Sequence, residues 1–235
     1  MDFLVVVNCV QVGIYSLAEA ERLTSVRRAR IRRWIKGYDF KSKGLTHRSA
    51  AVWSKEIEPI DGIIALGFRD LIEIRFVDAF LKAGVSWRTM RLAHQAAQDE
   101  LGTSHPFCSN RFVTDGRAIF QKQAEEESDA VLINLTNRQQ EFARIVGQFL
   151  KELEFDSDDS LVRWWPMGRD RKVVVDPQRQ FGQPITVQAG VSTQILARSV
   201  SANAGEIETV AQWYEVDQQE VRDAVAFELK LAKAA

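Results

Sequence analysis

The tightest local constraint lies at Ser16-Leu17-Ala18-Glu19, where a hydroxyl residue is followed three positions later by a carboxylate. This is a capping box, and it fixes a helix start at Leu17. Thr24-Ser25 interrupts that helix, and helical patterning resumes over Val26 to Ile35, where Val26, Ala29, Ile31 and either Trp34 or Ile35 can face inward. Two short helices meeting across a tight turn have the outline of a helix-turn-helix. The second helix carries Arg27, Arg28, Arg30, Arg32 and Arg33, where a recognition helix would present them. Gly37, Tyr38 and Gly44 then break the helix, and Leu45 to Trp53 reads as a strand pair in the position of a wing.

A net charge of −1 over 235 residues conceals a strong segregation. Arg22 to Arg48 holds ten basic residues against the single acid Asp39, a surplus of nine. Ala124 to Ser160 holds ten acids against three bases, and Gly205 to Ala235 holds seven acids against three bases. A basic block this dense is the footprint of a polyanion partner, since a solvated helix face usually mixes both signs. The expected DNA-contacting residues are Ser25 in the turn, Arg27, Arg28, Arg30, Arg32 and Arg33 on the helix, and Lys36, Lys41, Lys43 and Arg48 on the wing side. A suitably placed Arg on the helix can bind guanine bidentately, while the wing-side cations contact phosphates of double-stranded operator DNA.

Downstream, the apolar pattern from Phe68 to Ala83 predicts a helix closed by Gly84, and Ser86 caps another running to about Leu101. Asp115-Gly116 within Arg111 to Phe120 is a hairpin signal, Val131 to Leu135 a strand, and Gln139 to Leu153 an amphipathic helix whose apolar face suggests a homodimer contact. The hydrophilic Asp156 to Ser160 marks a boundary. A buried-type strand follows at Val173-Val174-Val175, then an ordered turn over Phe181 to Ile185. Three helices complete the chain, roughly Ser192 to Val200, Ile207 to Trp213 and Asp217 to Leu231. The organisation expected is mainly α with small β-sheets: a winged helix-turn-helix over 1–110, an α/β dimerising segment over 111–155, a linker over 156–172 and a C-terminal three-helix domain over 173–235.

Chemistry of other kinds finds little support. His47, His94 and His105 have no Cys or carboxylate at zinc spacing, and no phosphate-binding loop, dinucleotide fingerprint or H-E-x-x-H occurs. Glu125-Glu126-Glu127 and the Asp156 to Asp159 cluster read as solvated runs, so no metal or cofactor is expected, nor an enzyme. Cys9 and Cys108 read as reduced thiols, and with no leader or 18-residue apolar stretch the expected location is the cytoplasm, away from membranes.

Particular motifs resemble known families. Tyr15-Ser16-Leu17 through Ile31-Arg32-Arg33-Trp34, with Gly67 to Ala97 and its Ala83-Gly84-Val85-Ser86 turn, resembles the winged domain of the MerR superfamily. Leu101-Gly102-Thr103-Ser104-His105-Pro106-Phe107 with Thr114-Asp115-Gly116-Arg117 resembles VapB-like antitoxins. Val173 to Leu231, including Val175-Asp176-Pro177 and Phe181-Gly182-Gln183-Pro184-Ile185, is similar to a small helix-turn-helix domain found beside PIN-like toxins. The resemblance implies an antitoxin that pairs with a PIN-like ribonuclease toxin and represses its own operon; the alternative reading is a MerR-like transcriptional regulator that answers a small ligand without a toxin partner. The pattern departs from MerR at Glu21, where a small residue is usual, at Ser25, where glycine is usual, and in lacking a long dimerising coiled coil. For toxin contact the expected segment is Arg163, Trp164, Trp165, Arg169, Arg171 and Lys172, whose guanidinium groups could replace the cation of a carboxylate-lined metal pocket.

Overall fold

The computed structural model describes residues 12–112, 116 and 135–234, with backbone alone over 135–142, at 150 and at 234. Helices dominate, joined by three small antiparallel sheets among the described residues. Cys9, Glu125 to Glu127 and residues 131–134 of the expected strand Val131 to Leu135 lie outside them.

Strand β1 (Tyr15–Ser16) runs directly into α1 (Leu17–Thr24), because the capping box closes as the sequence predicts. Ser16 Oγ accepts from the Glu19 N–H at 3.2 Å, and the Glu19 carboxylate accepts from the Ser16 N–H at 2.8 Å. The turn to α2 (Arg28–Lys36) is made without glycine. Ser25 takes a left-handed conformation, φ 58°, and its N–H closes on the Glu21 carbonyl, so the departure from the glycine pattern leaves a regular cap. The hairpin β2 (Tyr38–Ser42) and β3 (Leu45–Ser49) follows at once. Its first strand therefore lies before Leu45, upstream of the expected pair, because Lys43 and Gly44 both adopt positive φ and form the tight two-residue turn. Gly37 is obligatory here: its φ is 70°, and a Cβ would sit 2.2 Å from the Ser49 carbonyl oxygen.

β4 (Ala65–Leu66) pairs with β1 and leads into α3 (Phe68–Lys82), which packs with α4 (Trp87–Leu101) and the short 3₁₀ turn Pro106–Cys108. Of the hairpin expected over Arg111 to Phe120, residues 113–115 and 117–120 lie outside the described residues; 111, 112 and 116 are helical, which corrects the start of its first strand. Phe112 is completely buried, 4.5 Å from Phe107 and edge-on to Phe76, and a Cβ on Gly116 would lie 2.5 Å from the Phe112 ring. Glycine serves close packing at 116.

α5 (Leu135–Glu152) begins where the last expected strand residue stands, and it lays Ile145, Val146 and Phe149 into the core, Phe149 stacking on Phe76 at 3.9 Å. That part of its apolar face is consumed within the chain, which removes it from the expected dimer contact. The expected linker is also corrected. Asp156 to Ser160 is a tight turn, with Asp156 Oδ1 accepting from the N–H groups of Asp158 and Ser160, between β5 (Leu153–Phe155) and β6 (Leu161–Trp164). With β7 (Val173–Val175) and β8 (Pro184–Thr186) these make a four-stranded meander, β5-β6-β7-β8, across the expected boundary. Leu161 and Trp164, three apart but brought opposite Phe155 and Leu153 by a register shift in the β5–β6 pair, supply the inward side chains that a linker would lack.

α6 (Thr193–Ala202), α7 (Ile207–Trp213) and α8 (Gln218–Ala234) close the chain around a small second core of Leu196, Val200, Val210, Ala211, Val216, Val221 and Ala224. The N-terminal and C-terminal parts are stitched together. Tyr15, fully buried, donates its hydroxyl to the Gly182 carbonyl at 2.6 Å, Gln183 bonds Glu19, and Arg22 pairs with Glu228 at 2.9 Å. Desolvation first, and then the charges of Glu19, Glu56 and Asp176, push the Tyr15 phenol far above its usual range, so it remains a donor.

Candidate nucleic-acid interface

Helix α2 buries Ile31, Trp34 and Ile35, so residues on the opposite side point outward by helical period. Arg27, Arg28, Arg30, Arg32, Arg33, Lys36, Lys41, Lys43 and Arg48 are all exposed, and so is Ser25. The basic block is thus brought to one helix and its adjoining hairpin. Its members are not equivalent. Arg28 pairs with Glu21 at 2.9 Å, Arg30 with Asp78 at 3.2 Å while stacking on Trp34, and Arg48 with Asp39 at 3.1 Å while donating to the Lys36 carbonyl. Arg33 lies over the Tyr38 ring at 4.0 Å. Arg27, Arg32, Lys36, Lys41 and Lys43 have charged heads that meet no partner among the described residues, so they are the ones most available to an external anion.

Sequence reasoning missed the floor beside the hairpin. A cleft of about 450 Å³ between the hairpin and α4 is bordered by Tyr38, Phe40, Arg48, Trp87, Arg88 and Arg91. Arg91 donates to Ser49 Oγ and so braces the end of β3. The signal was available: Ser86 caps α4 by accepting from the Thr89 N–H, and Arg88 and Arg91 stand three residues apart just beyond it.

Beneath this surface α3 carries charges that its apolar pattern conceals. Asp70, fully buried, accepts from Trp53 Nε1–H at 2.8 Å and from the N–H groups of Gly67 and Glu56, and lies 3.0 Å from His105 Nε2. Glu73, also fully buried, accepts from the Phe107 N–H at 2.9 Å and lies 3.0 Å from His94 Nε2. The His105-Pro106-Phe107 motif therefore docks its loop onto α3. Burial alone would lower the His105 pKa, but its hydrogen bond to Asp70 and the charges of Glu73, Asp70 and Glu56 outweigh that and raise it. No group of three or more potential ligands among the described residues is placed to hold a metal ion.

The segment expected to meet a toxin is internally committed. Arg163 pairs with Asp176 at 2.9 Å and Glu154 at 3.2 Å, and Asp176 above all holds its pKa up. Trp164 is buried, the Trp165 indole donates to Glu154, Arg169 donates to the Leu153 carbonyl, and Arg171 pairs with Asp223. Of the six, Lys172 alone keeps a charged head with no partner among the described residues, although its backbone N–H also bonds Asp223. Arg163 and Arg169 thus brace the sheet, and Arg171 ties it to α8.

No protein-family model matches the chain. It is similar to a Mycobacterium tuberculosis (strain ATCC 25618 / H37Rv) protein named "Putative antitoxin VapB45", with 29% identity over 229 residues, 91% of this chain and 93% of that protein. Its fold matches the crystal structure of RV2018 from Mycobacterium tuberculosis with a TM-score of 0.67 and 25% identity, covering 90% of this chain and 96% of the other. No helix among the described residues is long and apolar enough to cross a membrane.

Proposed function

We propose that this protein is the antitoxin of a type II toxin-antitoxin system, and that it binds operator DNA as an autorepressor and neutralises a PIN-like ribonuclease toxin. The observation that carries the reading is similarity along 91% of the chain to a protein named as an antitoxin. The exposed cations of α2 and the hairpin support the DNA-binding half: the pair α1–α2 acts as the helix-turn-helix of a MerR-like winged domain, with β2–β3 as its wing. Arg27, Arg32 and Arg33 approach base edges, and Lys36, Lys41 and Lys43 meet phosphates. Two half-sites call for a homodimer.

Toxin contact falls to another surface than the guanidinium groups of 163–172, because all three, of Arg163, Arg169 and Arg171, already have partners. Co-expression with the product of the neighbouring open reading frame tests the antitoxin role: rescue of growth and a co-purifying complex are expected, and toxicity unrelieved by a well-expressed chain would refute it. Titration of the upstream DNA tests the repressor role. Affinity should fall by at least about tenfold between roughly 50 and 200 mM salt, and a flat titration would refute it.

A further inference from the structure

We propose that the hairpin β2–β3 and the cleft beside it bind single-stranded nucleic acid, with unpaired bases stacking on the aromatic face of the hairpin. This is a second activity, separate from operator recognition, and it does not rest on the antitoxin reading. The strand register places Tyr38, Phe40, Leu45 and His47 on one face of the hairpin, and Asp39, Lys41 and Arg48 on the other. Phe40 lies 5.5 Å from the His47 ring, inclined to it by only 26°, and 6.0 Å from Tyr38. The Arg33 guanidinium continues the row over Tyr38. Much of this face meets water: Phe40 is 43% exposed, Leu45 is 65% exposed, and His47 is exposed as well. Aromatic rings in that position add little to a core, and they have the form of a base-stacking platform.

The rings can be reached. Phe40 borders the cleft of about 450 Å³ from the hairpin side, and Leu92, 38% exposed, borders it from α4 beside Trp87. A planar base entering the cleft therefore meets apolar side chains on both walls. The charged groups at its border are Arg48, Arg88 and Arg91, and no carboxylate among the described residues joins them. Arg48 is held by Asp39 in an exposed pair, which is weak, and Arg91 has the neutral Ser49 hydroxyl as its partner. A phosphodiester offers Arg91 the charge-assisted bonds that a hydroxyl does not. Lys41 and Lys43 on the same hairpin extend the cationic track beyond the cleft, which favours a strand over a single nucleotide. A duplex hides its base faces against their neighbours, whereas a single strand presents them.

Fluorescence polarisation with the full chain tests this. The probes are labelled oligothymidylate and oligouridylate of about 12 nucleotides, an abasic DNA strand of equal length and a mixed-sequence duplex, with thymidine monophosphate as a competitor. At least one homopolymer should bind with a Kd between about 1 and 100 µM at roughly 100 mM salt, and the tighter of the two identifies the sugar preferred. The abasic strand, equal in charge, should bind at least about tenfold more weakly. Phe40→Ala should weaken single-strand binding about tenfold and duplex binding less than about threefold, and Leu92→Glu, on the opposite wall, should weaken single-strand binding about tenfold. The proposal is overturned if neither homopolymer binds at roughly 100 µM protein, or if the abasic strand binds as tightly as they do. It is equally overturned if Phe40→Ala weakens duplex and single strand alike, which makes Phe40 a duplex contact, or if thymidine monophosphate competes as well as the unlabelled strand, which makes the cleft a mononucleotide pocket. Should Phe40→Ala fail to fold, unchanged affinity in Leu92→Glu overturns it and a loss supports it. Absent duplex binding would refute the repressor reading and leave the single-strand measurements to decide this one.

Discussion

The helix pairs α1–α2 and α7–α8 share an outline, a short helix, a tight turn and a second helix, yet they place their charges differently. Gly205 to Ala235 sums to −4, which suggests a surface hostile to a duplex. In the folded chain Glu220 and Asp223 are buried, Asp223 accepting from Arg171, the Lys172 N–H and Gln219, and Glu220 from the Gln188 N–H. Glu228 is half-buried and occupied by Arg22 and Thr193. Four acids remain exposed, Glu206, Glu208, Glu215 and Asp217, against Arg222, Lys230 and Lys233, so the surface sum is −1. By contrast, of the ten basic residues from Arg22 to Arg48 only Arg22 is withdrawn from the surface. The lesson is that a charge block is a partner signal only to the extent that the fold leaves it outside: one block is a surface, and the other spends three of its seven acids as mortar.

The comparison would break first on DNA. Replacing Arg27, Arg32, Lys36 and Lys41 together by alanine should reduce operator affinity by about 10³-fold, on the order of 4 kcal/mol, and flatten the salt slope by roughly two units, one for each phosphate-contacting lysine. Replacing Glu206, Glu208, Glu215 and Asp217 by their amides should change it less than about threefold. Equal effects in a gel-shift series would erase the distinction. A second measurement concerns stability. Asp223→Ala strands the Lys172 N–H and Arg171, which is half-exposed and can rehydrate, so a loss of about 2 kcal/mol in denaturant unfolding is expected.

The pH response should localise to the N-terminal region. His105 has a raised pKa in the folded chain, so it contributes stability in full below its ordinary value of 6.5, and that contribution is lost as pH rises through the folded value. The unfolding midpoint should fall over that interval, and His105→Gln should remove this part of the slope. A slope unchanged in the variant would assign it elsewhere. The smallest effect belongs to Asp39→Ala, which opens an exposed pair with Arg48 and should alter stability by no more than about 0.5 kcal/mol.

Elements governed by local chemistry were legible in the sequence. The capping box placed α1 at Leu17, Ser86 placed the start of α4, and the run Val173-Val174-Val175 is β7. Elements governed by distant partners were not. Leu161 to Trp164 looks like part of a polar connection until Leu153 and Val175 flank it, and Gly116 looks like a turn residue until Phe112 is seen beside it. The site divides the same way. The cations could be counted along the chain, but which of them are neutralised depends on Glu21, Asp78 and Asp39, two of which lie outside the basic block or far from it in sequence. Asp70 and Glu73 were concealed because a helix lined with Leu71, Ile72 and Ile74 reads as purely apolar, although its carboxylates hold the loop that carries His105.

Helix α8 contributes Val221 and Ala224 to the small C-terminal core and Phe227 and Leu231 to the main one. A rod shared between two cores cannot detach from one while keeping its grip on the other. The chain should accordingly open as one cooperative unit, with amide hydrogens of α8 and of α3 exchanging at similar, global rates. Shortening the chain before Phe227 would then loosen the distant basic surface of α2 and its hairpin as surely as it frays the end at which the cut is made.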